Sequence, residues 1–382
     1  MKFTIQRQAF INQLGNVSRA ISSKVTIPVL TGLKLQTSAE GLTLIGSDAN
    51  ISIESFLPIS DDALQLNIEA QGSIVLPSRL FNEVIKKLPT DQVTIEVDNQ
   101  HLATITSGKA VFQLNGVSGD QYPKLPEVDT SQTLKLPTLL FKQLIHQTIF
   151  SSSNQETRPI LTGLNLTIKS DYLSAIATDS HRLSKREIPV EADFSLAESI
   201  TIPKKTVSEL ARIVEDEADL SMAVTPQQVI FMTKNLTIYS RLLEGTYPDT
   251  SRLIPTTHNT ELVVKTNSFI QAIERASLMA HEGKNNVVQL DIADNRVELS
   301  VRGIEIGHLA EEINYEALSG ENILISFNPD YMREALRSFG DTQVKIHFQS
   351  AVRPLLLSAE IESELPHNSL VQLLTPIRSH YG

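Results

Sequence analysis

The amino-acid sequence predicts an α+β fold made of three tandem copies of one domain, each an antiparallel sheet with two helices on one side. Three observations predict it: a segment of the first third that returns in the second, a proline-led amphipathic stretch that occurs three times at equal spacing, and short alternating runs between them.

Residues 27–35, IPVLTGLKL, return as 158–166, RPILTGLNL, with Pro28 answering to Pro159. Residues 42–48, LTLIGSD, answer to 173–179, LSAIATD, at the same offset, so the match runs without a gap through two strands and a turn. Pro77, Pro203 and Pro329 each lead apolar residues at helical spacing. These are Leu80, Phe81, Val84, Ile85 and Leu88, then Val207, Leu210, Ala211 and Val214, then Tyr331, Met332, Ala335, Leu336 and Phe339. Proline suits a first helical turn, where its missing N–H has no partner to lose. An earlier helix in each third is marked by Phe10, Leu14 and Val17, by Phe141, Leu144 and Ile145, and by Phe269, Ile270 and Ile273. VTIEV at 93–97 and VFQL at 111–114 alternate as half-buried strands do. Proline-bounded stretches at 122–126 and 247–255 place the domains at 1–125, 126–254 and 255–382.

Bulk composition narrows the function. The 382 residues are 41% hydrophobic and 20% charged with no cysteine, the balance of a globular chain without disulfides, thiol chemistry or zinc-thiolate sites. Charges are interspersed from the N-terminus onward and no run approaches the roughly 18 apolar residues of a membrane span, so a cytoplasmic location is expected. No nucleotide-binding, zincin or nucleophile-elbow motif is present, and the nine histidines show no metal-ligand spacing. Neither cofactor, metal nor catalysis is therefore expected. The one cluster with a catalytic look is TDSHR at 178–182, and an enzyme using Asp179 and His181 is an alternative reading. A turn in which Asp179 bonds nearby amides is favoured over it, because Ser47 and Asp48 hold the equivalent turn of the first repeat.

Charge is segregated by element. The candidate helical segments 7–24, 77–87, 137–152, 203–216, 266–284 and 328–339 carry 14 Lys or Arg against 8 Asp or Glu. Their net charge is +6 in a chain whose total is -11, which leaves -17 elsewhere. A surface basic on its helices and acidic outside would attract a phosphate backbone along one track.

The three-fold repeat, PVLTG at 28–32, TDSHRL at 178–183, YPD at 247–249 with Arg252, and TPIR at 375–378 together resemble the bacterial DNA polymerase III beta subunit family, the DNA sliding clamps. The resemblance covers essentially the whole chain. It implies a head-to-tail homodimer closed into a ring, twelve helices lining the hole, a non-specific topological hold on double-stranded DNA, and no catalysis. Twelve helices packed at about 9 to 10 Å make a circle about 36 Å across and leave a hole of about 25 Å, enough for a hydrated duplex. The resemblance also implies a pocket for short linear peptides of the replicative DNA polymerase, the clamp loader and repair proteins. That pocket would be formed by Leu161, Thr178, His181, Arg182, Leu183, Pro248, Arg252, Leu253, Tyr331, Val352, Pro354, Leu373, Thr375, Pro376, Ile377 and Arg378. Ser180 stands where a glycine is common in the family, and Thr375 and Ile377 where methionines occur. Lys24, Lys86, Lys87, Lys204, Lys205 and Arg275 are the candidates to face DNA. Phe112 and Leu114 are expected to pack against Leu278 and Met279 of the partner subunit. A peptide-binding scaffold without DNA is the remaining alternative.

Overall fold

Among the described residues six α-helices form where the periodicity places them: α1 (Arg7–Ser18), α2 (Ser78–Lys87), α3 (Thr138–Thr148), α4 (Lys204–Ile213), α5 (Thr266–Glu282) and α6 (Pro329–Arg337). The computed structural model describes residues 1–126, 133–192, 199–282, 286–303, 307–359 and 367–378. The helices are shorter than the apolar pattern suggests, and local chemistry says why. α1 stops at Ser18, not at position 24, because Ile21 N–H turns back to Ser18 O and the Ser22 hydroxyl accepts from Lys24 N–H, an offer that competes with a helical ladder. α3 gives way to a 3-10 turn at Ile149–Ser151, with the Thr148 hydroxyl donating back to Leu144 O at 2.6 Å. The expected end of α5 at position 284 lies outside the described residues.

The three prolines divide in role. Pro329 is the first residue of α6, and the Asn328 side chain ahead of it accepts from the amides of Asp330 and Tyr331. Pro77 and Pro203 instead end strands, paired with Gly32 and Gly163. A strand's last residue can do without a donor, so proline fits there as well. The repeated glycine of the returning motif has its own reason. A Cβ on Gly32 would meet Val75 Cγ1 at 2.4 Å, and one on Gly163 would meet Ile202 O at 2.3 Å.

All sheets are antiparallel, and two of them do not respect the repeat boundaries. One nine-stranded sheet runs Val117–Ser118, Gly72–Pro77, Gly32–Thr37, Gly41–Ser47, Ile51–Pro58, Leu236–Arg241, Gln228–Met232, Leu220–Val224, Leu134–Leu136. Its seam joins first-repeat Ile53 to second-repeat Ile238. The other runs Ile200–Pro203, Gly163–Ile168, Tyr172–Thr178, Arg182–Pro189, Ser369–Leu374, Leu355–Ser358, Gln343–Phe348, Thr260–Lys265, Ala317–Gly320, and its seam joins Arg182 to Leu374 and Arg186 to Leu370. A five-stranded sheet ends on Ala110–Asn115, and a four-stranded sheet ends on Gly307–Glu312. The chain consequently resolves into two compact units, 1–138 with 212–242, and 139–211 with 243–382. The middle repeat gives part of its strands to each neighbour, which pairs backbone edges that would otherwise stand open.

Each unit has its own apolar centre. In the first, Phe10 of α1 stands edge-on to Phe3 and to Phe81 of α2, with ring centroids 6.1 Å apart in both pairs. All three rings are fully buried, worth about 1.5 to 3 kcal/mol each. In the second, Phe269 and Ile273 of α5 and Met332 and Leu336 of α6 pack with Phe327 and Phe348 from the sheets.

Candidate functional site

The turn at 178–183 is built by its own side chains. Asp179 Oδ1 accepts the amides of His181 at 2.9 Å and Arg182 at 3.1 Å, as Asp48 Oδ1 accepts those of Asn50 and Ile51 at 3.0 Å in the first repeat. Thr178 Oγ1 donates to Arg182 O at 2.6 Å and accepts from Ser180 N–H. Ser180 is held at φ 78°, a left-handed conformation that glycine adopts freely, which accounts for the glycine common in the resembled family. Asp179 is fully occupied by this turn, and His181 is exposed beside it, so the pair has the geometry of a brace rather than of a catalytic dyad.

Arg182 is the hub of the second unit. Its Nε donates to Asp179 Oδ2 at 3.0 Å, its Nη2 to Phe150 O at 2.7 Å, and its Nη1 to the Glu334 carboxylate. The guanidinium also lies over the Tyr331 ring, 4.3 Å from the centroid. Tyr331 and Glu334 are one turn apart on α6, so the middle and last repeats are tied through one side chain. The sheet beneath presents an apolar row. Leu183 pairs with Leu373 and Leu373 with Leu356 across three adjacent strands, and Ile176, Ile254 and Val371 pack around them. Against this row opens a 270 Å³ cavity lined in part by Ile176, Lys185, Tyr247, Pro248 and Ile254. Burial pushes the Tyr247 hydroxyl well above its usual pKa, and the nearby Asp179 carboxylate adds to that.

Behind the row the opposite face of the same strands is polar and closed. Ser184 bonds Ser151 and Gln372, whose amide donates to Gln147 O and to Ser338 Oγ, both at 2.9 Å. Arg186 donates to Gln147 Oε1 at 2.9 Å and to Ser369 O at 3.0 Å, and burial pulls its guanidinium down to about 10. This network fixes the seam from which the pocket is hung.

The tail is tied down by its main chain. Thr375 N–H donates to His181 O at 2.9 Å and Ile377 N–H to Ser326 O at 2.7 Å, so the chain leaves its last strand anchored at two points. Pro376 and Ile377 are half-buried, while residues 379–382 lie outside the described part. Leu253, next to Ile254, and Val352, just ahead of the strand Leu355–Ser358, keep 49% and 62% of their surface, which is large for apolar side chains with no covering partner among the described residues. Leu161 is buried and Pro354 half-buried, whereas Arg252 and Arg378 are exposed. Sequence reasoning missed Glu334 and Phe150; Glu334 was within reach, since it follows Tyr331 at i+3 on an amphipathic helix. It also missed a counterpart in the first unit, a 320 Å³ cavity lined in part by Ile27, Leu30, Ala49, Pro123, Leu125 and Tyr239.

The cations sort less evenly than expected. Lys86 and Lys87 close α2, and Lys205 is exposed at the start of α4. Lys24 is exposed but lies in the loop beyond α1, not on a helix. Lys204 is half-buried, donates to Asn154 Oδ1 at 3.1 Å and is held below its usual pKa by burial and then by the charge of Arg182, which sets it beside the Arg182 cluster. Arg275 is committed in both arms to the Glu311 carboxylate. Phe112 is exposed and Leu114 half-buried on the edge strand Ala110–Asn115, so neither belongs to the chain's own core. Leu278 of α5 is 71% exposed, and Met279 reaches to within 3.9 Å of the position a Cβ on Gly307 would take, beside the other edge strand.

Models of the N-terminal, central and C-terminal domains of the DNA polymerase III beta subunit match residues 1–126, 135–249 and 251–372. The chain belongs to the DNA polymerase III beta subunit family. The beta sliding clamp of Bacillus subtilis (strain 168) is 43% identical over the full length of both chains, and that of Staphylococcus aureus (strain N315) 41%. The crystal structure of the Bacillus subtilis sliding clamp superposes with a TM-score of 0.94 at 44% identity and covers both chains completely. The beta chain of Streptococcus pneumoniae TIGR4 gives 0.94 at 36%, over 99% of this chain and all of that one. As a member of this family the chain is a DNA sliding clamp of three clamp repeats, a processivity factor and not an enzyme.

Proposed function

We propose that this sliding clamp receives the peptides of its polymerase, loader and repair partners over the Leu183, Leu356 and Leu373 row, between the Arg182 turn and the tail at 375–378. The observation that carries the reading is the coincidence of an apolar row beside a cavity, exposed Leu253 and Val352 on the segments that lead to Ile254 and to the strand Leu355–Ser358, and a rigid charged brace at Asp179 and Arg182. Small recognition sites combine those parts: apolar area for affinity and a few fixed polar groups for orientation. Titrating a labelled polymerase-derived peptide into the clamp and into Leu183→Asp tests it; equal affinity would place the site elsewhere.

The ring is assigned to two open edges. Ala110–Asn115, carrying Phe112 and Leu114, and Gly307–Glu312, flanked by Leu278 and Met279, end their sheets without a further strand among the described residues. A head-to-tail dimer joins one edge to the other twice and closes, as a two-fold heterologous pairing of three-repeat chains must. Lys24, Lys86, Lys87 and Lys205 are assigned to face duplex DNA through phosphate attraction without base readout. Clamp loaded on nicked circular DNA should survive a salt wash and be lost on linearisation; equal salt-dependent loss from both would mean ordinary groove binding. Domain limits of 1–125, 126–254 and 255–382 and a cytoplasmic location complete the reading. Among the described residues no helix is long and apolar enough to cross a membrane.

A further inference from the structure

The fold brings His347 beside two groups far from it in the chain, His258 and Glu261. Glu261 and His347 are direct partners across the strands Thr260–Lys265 and Gln343–Phe348, and His258 sits one short turn ahead of Glu261. The Asn259 amide donates to Phe348 O at 2.8 Å, which pins that turn to the same strand. His258 Nε2 lies 3.8 Å and His347 Nε2 3.3 Å from Glu261 Oε2, and the imidazole centroids are 4.3 Å apart.

We propose that His258, Glu261 and His347 form a binding site for one divalent transition-metal ion of the zinc class. Donors about 2.1 Å from a tetrahedral ion stand about 3.4 Å apart, close to the two separations observed, so small side-chain rotations complete the geometry. Two imidazoles and a carboxylate match zinc in ligand type, and they leave a fourth position to water.

A second observation points to a ligand. His347 Nε2 is buried, yet makes no hydrogen bond to Glu261 or to any other described group. A buried nitrogen without a partner costs free energy unless something fills the gap. Burial, then the charges of His258 and Lys345, hold this imidazole below its usual pKa, against the pull of Glu261. Lys345, two residues along the same strand face, opposes a cation and sets the affinity below that of a closed structural site. The ion would clip the first residues of the last repeat to the strand Gln343–Phe348.

The test uses the full-length dimer, stripped with chelator and titrated with Zn2+ by calorimetry, with Co2+ absorption as a second readout. One ion per chain is expected, with a tetrahedral Co2+ spectrum and a melting temperature raised by the metal. His258→Ala, Glu261→Gln and His347→Gln should each weaken binding at least about tenfold while the dimer mass stays unchanged. Absence of binding by the wild-type clamp would overturn the proposal. So would undiminished binding by the double variant His258→Ala/His347→Ala, which would put the ion elsewhere. Glu261→Gln keeps the side chain's volume, so it still decides the matter if a histidine variant folds poorly.

Discussion

Ala49 and Ser180, at equivalent places in the first and second repeats, hold the same left-handed backbone, with φ of 75° and 78°. The turn demands that conformation of whatever residue occupies it, and a side chain there costs about 1 to 2 kcal/mol. Replacing Ser180 by glycine relieves that cost but adds freedom to the unfolded chain, so a net gain of about 0.5 to 1 kcal/mol is expected. A urea midpoint measures it. A lower midpoint for Ser180→Gly would mean that the serine side chain contributes more than its backbone costs.

Arg182→Ala leaves Asp179 and Glu334 without their partner. The guanidinium is 10% exposed but Glu334 is 42% exposed, so the loss should fall below that of a fully buried pair, at about 2 to 3 kcal/mol. Peptide affinity should fall with it, because Tyr331 and the turn are no longer held together. Arg182→Lys keeps the charge without the fork and should recover only part of either quantity, read by urea denaturation and peptide titration.

Replacing Phe112 and Leu114 together by polar residues should give a folded monomer in sedimentation, since both side chains lie on an edge strand outside the core. Circular dichroism that matches the parent would confirm folding. A loss of folded signal would return the two residues to the core.

Deleting 375–382 removes the proposed wall of the peptide site together with the two main-chain bonds to His181 and Ser326. Dimer mass and thermal stability should stay near those of the parent. Affinity for a polymerase-derived peptide should fall by about 2 to 4 kcal/mol, the worth of a few buried apolar side chains. Collapse to monomer would make the tail structural.

The hydrogen bonds from Arg275 hold the Glu311 carboxyl below its usual pKa, more strongly than its partial burial raises it. Its folded value is depressed, so the pair's contribution is present above the unfolded pKa and is lost as pH falls through the folded value. In Arg275→Gln a carbon-detected NMR titration of Glu311 should show the pKa returning upward. Retention on circular DNA should change little, because the arginine is already engaged. A large loss of retention would show that Arg275 leaves Glu311 for phosphate.

The repeat, the apolar faces of the helices and the Asp179 turn could be read directly, because each depends on residues close in sequence; Leu80, expected on the apolar face of α2, is the exception and stands 53% exposed. Phe10, Leu14 and Val17 announce a buried helix face wherever they occur, and Asp48 and Asp179 bond amides two and three positions on. The choice of sheet partners could not be read that way. Ile53 meets Ile238, and Arg182 meets Leu374, only because edge strands of neighbouring repeats find each other, and no local pattern names a partner half a chain away. The same holds for Arg182, whose bonds to Phe150 and Glu334 come from two repeats, and for Lys204 and Arg275, whose charges were legible but whose neighbours were not. Glu261 and His347, far apart within the last repeat, become adjacent for the same reason: an antiparallel ladder converts long sequence separations into direct contact, and only the folded chain decides which ones.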